Sequence, residues 1–158
     1  MAWVVTGKLA EMTSYMREAL DEAEKAFAKG EVPIVAVIVK DGEVIARTHN
    51  LRETFHDPTA HAEILAIRMA GESLGGWRLS GTTLYVTVEP CPMCAGALVQ
   101  ARVDRLVYGA EDPKGWAGKA VAEIADNPGL NHRVEIIGGI MEEECREIMR
   151  RFFQERRS

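Results

Sequence analysis

Residues 32–50 read VPIVAVIVKDGEVIARTHN. Two runs rich in β-branched residues flank Asp41-Gly42, a dipeptide suited to the tight turn of a β-hairpin. Upstream, Thr13 is placed to cap a helix through SYMREALDEAEKAFAK. Its apolar residues Met16, Ala19, Leu20, Ala23, Ala26 and Phe27 recur at helical spacing, and Gly30 stops it. Downstream the pattern alternates. A helix opens in DPTAHAEILAIRMA (57–70), then come the strand TTLYVTVE, a short helix from near Cys91, and the strand RLVYGA. A short helix from about Lys119 to Ala125, the strand RVEIIGG and a helix from about Glu142 to Arg157 complete the chain. One hairpin followed by alternation predicts an α/β fold, a mixed five-stranded sheet with helices on both faces. No repeat or linker divides residues 1–158, so one domain is expected.

Composition narrows the functional classes. The 47% hydrophobic content sustains a genuine core. Of three cysteines two form one C-x-x-C, which argues against a disulfide framework and for a reducing compartment; Cys145, in EEEC, reads as a buried thiol. No apolar run approaches the roughly 18 residues of a membrane span, and the N-terminal stretch lacks a basic start and a long apolar core, so a soluble, cytoplasmic protein is expected. The net charge of −5 gives no global sign of nucleic-acid binding. Locally, Arg146 to Ser158 holds five Arg against two Glu, a net +3.

The chemistry concentrates in two stretches. In residues 57–70, apolar at nearly every position beyond its mouth, His61 and Glu63 interrupt the pattern, and an unpartnered carboxylate in such a helix has no folding rationale. Asp57 can cap this helix with Pro58 in its first position, which puts His61 in a first turn. In VEPCPMCAGALVQA (88–101), Cys91 and Cys94 stand three apart at a helix start, where that spacing brings both sulfurs to one side and the helix amines favour thiolates. One His and two Cys make three soft ligands, the number a catalytic zinc uses when its fourth position is open to water. Cys145, His49, His56 and His132 lack ligand spacing to either stretch, which weakens a closed structural site. Glu63, about 200° around a regular helix from His61, does not share its face, so it reads as a proton carrier rather than a ligand. Taken singly, H-x-E occurs often by chance and C-x-x-C is more often structural zinc or redox chemistry, but a redox pair leaves His61 and Glu63 without a role.

With Pro90 before the first Cys, the combination resembles the cytidine deaminase-like superfamily, and most closely the bacterial tRNA-specific adenosine deaminases. The likeness extends over EVPIVAVIVKDGEVIA, HNLRETFHDPTAHAEILAIR, LYVTVEPCPMCAGALVQARVDRLVYGAEDPK, NPGLNHRVEIIGG and EECREIMRRFFQERR. It implies a three-layer α/β/α fold, a homodimer, and hydrolytic conversion of adenosine to inosine at the anticodon wobble position of tRNA. It further implies one Zn2+ per chain on His61, Cys91 and Cys94, proton transfer by Glu63, and nucleoside contact by Asn50. Ile34, Asp112 and Trp116 are expected to border the substrate, and Arg156 to contact RNA beside Arg157. The alternating Arg and Phe of RRFFQERR equally fits a terminal helix with Phe in the core and Arg in water.

Two departures from the family pattern bear on the substrate. After Glu-Val-Pro the family usually has an apolar residue and then Gly, whereas Val35 follows Ile34 here, so a narrowed pocket or a shifted pocket wall is expected. After Asp112-Pro113-Lys114 the chain reads GWAGKAV in place of a small-residue loop. A rebuilt entrance would suit a free nucleobase or nucleoside, guanine or another small aminated heterocycle, which is the alternative substrate class. A zinc-stabilised binding module without catalysis is a further alternative, and it predicts that Glu63 is dispensable.

Overall fold

The computed structural model describes residues 2–112 and 121–157, with side chains described over 7–112 and 121–156. Asp41 and Gly42 both adopt positive φ (50° and 77°), which matches the right-handed twist of the strands they join, β1 (Val35–Lys40) and β2 (Glu43–His49). β1 also pairs antiparallel with β3 (Thr82–Val88). Beyond it β4 (Arg105–Ala110) and β5 (Glu135–Ile137) add in parallel, giving the order β2-β1-β3-β4-β5. The mixed five-stranded sheet is the expected one.

Helices α1 (Ala2–Ala28) and α5 (Glu142–Arg157) pack on one face, where Met16, Ala19, Val35, Val37, Tyr85, Cys145 and Ile148 form an apolar cluster. Helices α3 (Ala62–Leu74) and α4 (Pro92–Ala101), with a π-helical turn at Val121–Ala125, pack on the other, around Ile38, Ala66, Leu84, Leu98 and Leu106. A four-residue helix, α2 (Arg52–Phe55), which the sequence pattern did not indicate, follows β2. β1 is covered on both faces, which is why it reads as a continuous apolar run rather than an alternating one.

Thr13 does not begin α1, which starts eleven residues earlier. Met12 and Met16, one turn apart and both buried, carry the apolar stripe upstream of the supposed cap, and a helix continues while its stripe has a surface to cover. Gly30 ends it as expected, at φ 79° with its N–H donating to Phe27 O. Val35 does not narrow the cavity described below. Its side chain lies in the α1–α5 cluster and its N–H donates to Thr87 Oγ1 at 3.1 Å, while the preceding Ile34 packs on the opposite face. Strand alternation separates the two residues. Cys145 is fully buried against Gly109, where an added Cβ would lie 2.3 Å from its sulfur, and burial pushes its thiol up to about 12.

Candidate active site

The start of α3 differs from the expected one, and the difference creates the site. Asp57 caps no helix. Its Oδ1 accepts hydrogen bonds from the N–H and hydroxyl of Thr59 at 2.8 and 2.7 Å, a local turn that satisfies the aspartate before the helix opens. The helix begins at Ala62, whose carbonyl accepts the Thr48 hydroxyl of β2 at 2.7 Å, and His61 is the N-cap in extended conformation (φ −73°, ψ 151°). Cys91 occupies the same position before α4 (φ −73°, ψ 173°), followed by Pro92. Neither helix has a side-chain cap hydrogen bond, so each forgoes about 1 kcal/mol that Ser or Asp would supply there. His61 and Cys91 are poor caps retained for what they face. Because His61 is not helical, the 200° separation from Glu63 does not apply, and both side chains can address the space beyond the helix end.

There the ligand atoms of His61, Cys91 and Cys94 lie within 4.8 Å of one another. Cys91 Sγ and Cys94 Sγ stand 3.7 and 3.6 Å from His61 Nδ1. Bond lengths of about 2.3 Å to sulfur and 2.0–2.1 Å to nitrogen in a tetrahedron place such atoms about 3.6 Å apart, so the trio fits a zinc-sized cation. Hydrogen bonding from the Cys94 thiol, and then from His61, holds Cys91 down to about 4, while the same Cys94–Cys91 bond and burial push Cys94 up. The His61 imidazole is raised, chiefly by its bond to Cys91. Among the described residues nothing completes a fourth ligand: His132 Nε2 bonds Val103 O, His49 faces Glu22 at 4.0 Å, and Cys145 is across the sheet. That arrangement could hold a metal ion with a coordination position left open.

Glu63 is 4% exposed, and its Oε1 is buried without a hydrogen-bond partner. Desolvation raises its carboxyl above the ordinary range. An orphaned oxygen of this kind is costly unless something that enters the site uses it. Glu63 lines a cavity of about 580 Å³, ample for a nucleoside, whose walls also include Asn50, Ile34 and Asp112. Asn50 is pinned there by its own backbone bond to Ile34 O (3.0 Å) and by accepting the Arg52 N–H on Oδ1 (2.8 Å).

Other expectations are redistributed. Trp116 lies outside the described residues. Arg156 is not in the cavity wall; its guanidinium donates to Gly30 O at 2.6 Å and stacks over Phe152. Phe152 is a core residue, edge-on to Phe27, whereas Phe153 lines the cavity with Arg146, Met149 and Arg150. Those four stand at i, i+3, i+4 and i+7 of α5, a single helix face that the sequence displayed but whose partner surface it did not. Arg52 and Glu89 are among the other lining residues that sequence reasoning missed.

A family model of MafB19-like deaminases matches residues 10–157. The tRNA-specific adenosine deaminase of Bacillus subtilis (strain 168) is 54% identical over 90% of this chain and 89% of its own. That of Agrobacterium fabrum is 50% identical over 94% of this chain and 98% of its own. A solved structure from studies of A-to-I editing by tRNA:A34 deaminases at the wobble position superposes with a TM-score of 0.79 at 50% identity, over 86% of this chain and 99% of that one. A guanine deaminase from Nitrosomonas europaea, at 23% identity and a TM-score of 0.74 over 89% of this chain and 83% of that one, shares the fold. With the paired helix starts and their three ligands, these likenesses lead to one conclusion: the chain belongs to the MafB19-like deaminases, among the bacterial tRNA-specific adenosine deaminases.

Proposed function

We propose that this chain hydrolyses adenosine to inosine at the wobble position of tRNA anticodons. The observation that carries the reading is the unpartnered Glu63 oxygen beside three convergent soft ligands at a nucleoside-sized cavity. His61, Cys91 and Cys94 hold one zinc ion, which supplies Lewis-acid activation of water at neutral pH. Glu63 accepts one proton of the attacking water and delivers it to the ring nitrogen beside C6 as the water oxygen bonds C6; it then carries the remaining hydroxyl proton to the amino group, so that the C6–N bond breaks, ammonia leaves and the C6 carbonyl forms. Asn50, Ile34 and Asp112 orient the nucleoside, and Trp116 contacts the substrate in the same reading. Arg156, away from the cavity, meets RNA rather than the reacting base. A base in an anticodon loop is splayed into such a pocket at little cost. Residues 1–158 act as one domain, and a homodimer in the cytoplasm belongs to the same reading.

The test is ammonia release by the zinc-loaded protein, comparing an anticodon stem-loop carrying wobble adenosine with free adenosine, cytidine and guanine. Turnover on the stem-loop alone is expected. Turnover on a free base or nucleoside alone would replace this reading with a small-molecule deaminase.

Val35 gives a second expectation. Because its side chain belongs to the α1–α5 layer, Val35→Gly should lower stability by roughly 2–4 kcal/mol in a denaturant titration, through lost burial and added backbone freedom. KM for the stem-loop should stay within a factor of two. A clear fall in KM would restore Val35 as a constriction of the pocket.

A further inference from the structure

We propose that Glu89 is a positioning residue, whose carboxylate sets the direction in which the chain leaves β4 and so builds the Asp112 side of the substrate cavity. The last ladder pair between β3 and β4 is Val88 with Ala110, and the Glu89 N–H still donates to Ala110 O at 2.8 Å. A parallel ladder continuing from there would offer the Glu89 carbonyl to the N–H of Asp112. Pro90 and the Cys91 cap instead turn this strand into α4. The Glu89 side chain takes over: Oε1 accepts the Asp112 N–H at 2.7 Å, a charge-assisted bond from a residue only 4% exposed. One residue thus grips β4 at Ala110 and, two residues on, at Asp112. Both gripped residues and Glu89 line the cavity, and Cys91 lies two residues further along the same turn. The wall that meets the substrate and the turn that carries Cys91 share this tie.

The inference takes its substrate from the deaminase reading and its geometry from the hydrogen bonds alone. Three zinc-loaded proteins, the parent, Glu89→Gln and Glu89→Ala, are compared on the wobble-adenosine stem-loop, with zinc content and the amide hydrogen exchange of Asp112 followed by NMR. Glutamine keeps an acceptor oxygen, so Glu89→Gln should hold KM near the parent value. Glu89→Ala should raise KM roughly ten- to a hundredfold with kcat changed far less, as expected for loss of a charged hydrogen bond that places a binding wall, and zinc should stay near one per chain. Asp112 should exchange slowly in the parent and in Glu89→Gln, and fast in Glu89→Ala. A fall in kcat and zinc at unchanged KM, or failure of glutamine to rescue, would overturn the proposal. If neither variant folds, the parent's Asp112 amide decides: protection supports the tie and exchange at a random-coil rate overturns it. A parent that is silent on the stem-loop but shows the alanine-specific loss of protection would keep the tie and remove the deaminase reading.

Discussion

Glu63→Ala should reduce turnover on the stem-loop by two to four orders of magnitude, the usual contribution of a positioned general acid–base group, with zinc content unchanged. The expectation follows from two separate facts. Glu63 is not part of the converging trio, so removing it leaves the ligand set intact. Its buried Oε1 has no hydrogen-bond partner, so the fold leaves the desolvation of that oxygen uncompensated. Removing an uncompensated buried polar group relieves a desolvation penalty, and the metal-free variant should melt no lower than the metal-free parent. Loss of activity with undiminished stability is the signature of a residue kept for chemistry. If turnover survives in Glu63→Ala, the chain is a metal-stabilised binding module and the proton carrier has been misassigned.

Cys94→Ala should have the complementary result: zinc falling from about one per chain to near zero by elemental analysis, turnover below detection, and a chain that still folds. Cys94 is fully buried at the third position of α4, yet it belongs to neither apolar cluster. Its loss removes one of three protein ligands and leaves His61 and Cys91, too few to retain the ion against a chelator. The sheet and its two helical layers rest on residues the substitution does not touch, so far-ultraviolet circular dichroism should match that of the parent and unfolding should remain cooperative at a lower temperature. Zinc retained near one per chain would mean that the ligand set has been misread. Side by side, Glu63→Ala and Cys94→Ala separate holding the ion from using it.

The sequence made the layered architecture legible because its evidence is local. Asp41-Gly42 is a two-residue turn signal, and β2, β3 and β4 are each bounded on both sides by a polar residue or glycine. The pairing of Cys91 with Cys94 was legible for the same reason, since spacing within one helix start is a short-range property. Less visible was anything set by a surface meeting another surface. Asp57-Pro58 mimics a helix cap, and only the bond to Thr59 shows that the aspartate closes a turn instead. The side to which Val35 points depends on where β1 enters the sheet. The α5 face of Arg146, Met149, Arg150 and Phe153 is periodic in the sequence, but that it walls the cavity depends on how the helix crosses β4. Glu89 carried no signal, because its role is to replace a backbone bond in a ladder that stops.

His61 stands 30 residues before Cys91 and 33 before Cys94, with β3 between them. A disordered chain cannot gather these three side chains without closing that long loop, so an ion they hold would be captured by the assembled fold and not by a local hairpin of the zinc-finger kind. Preferential capture by the folded state adds stability that grows with the logarithm of free zinc once its concentration exceeds the dissociation constant. A cell starved of zinc would therefore accumulate less of this protein, through proteolysis of the unfolded fraction, as well as leaving the surviving molecules inactive. Editing capacity would then decline more steeply than metal occupancy alone, and recover fully only as fast as new chains are made.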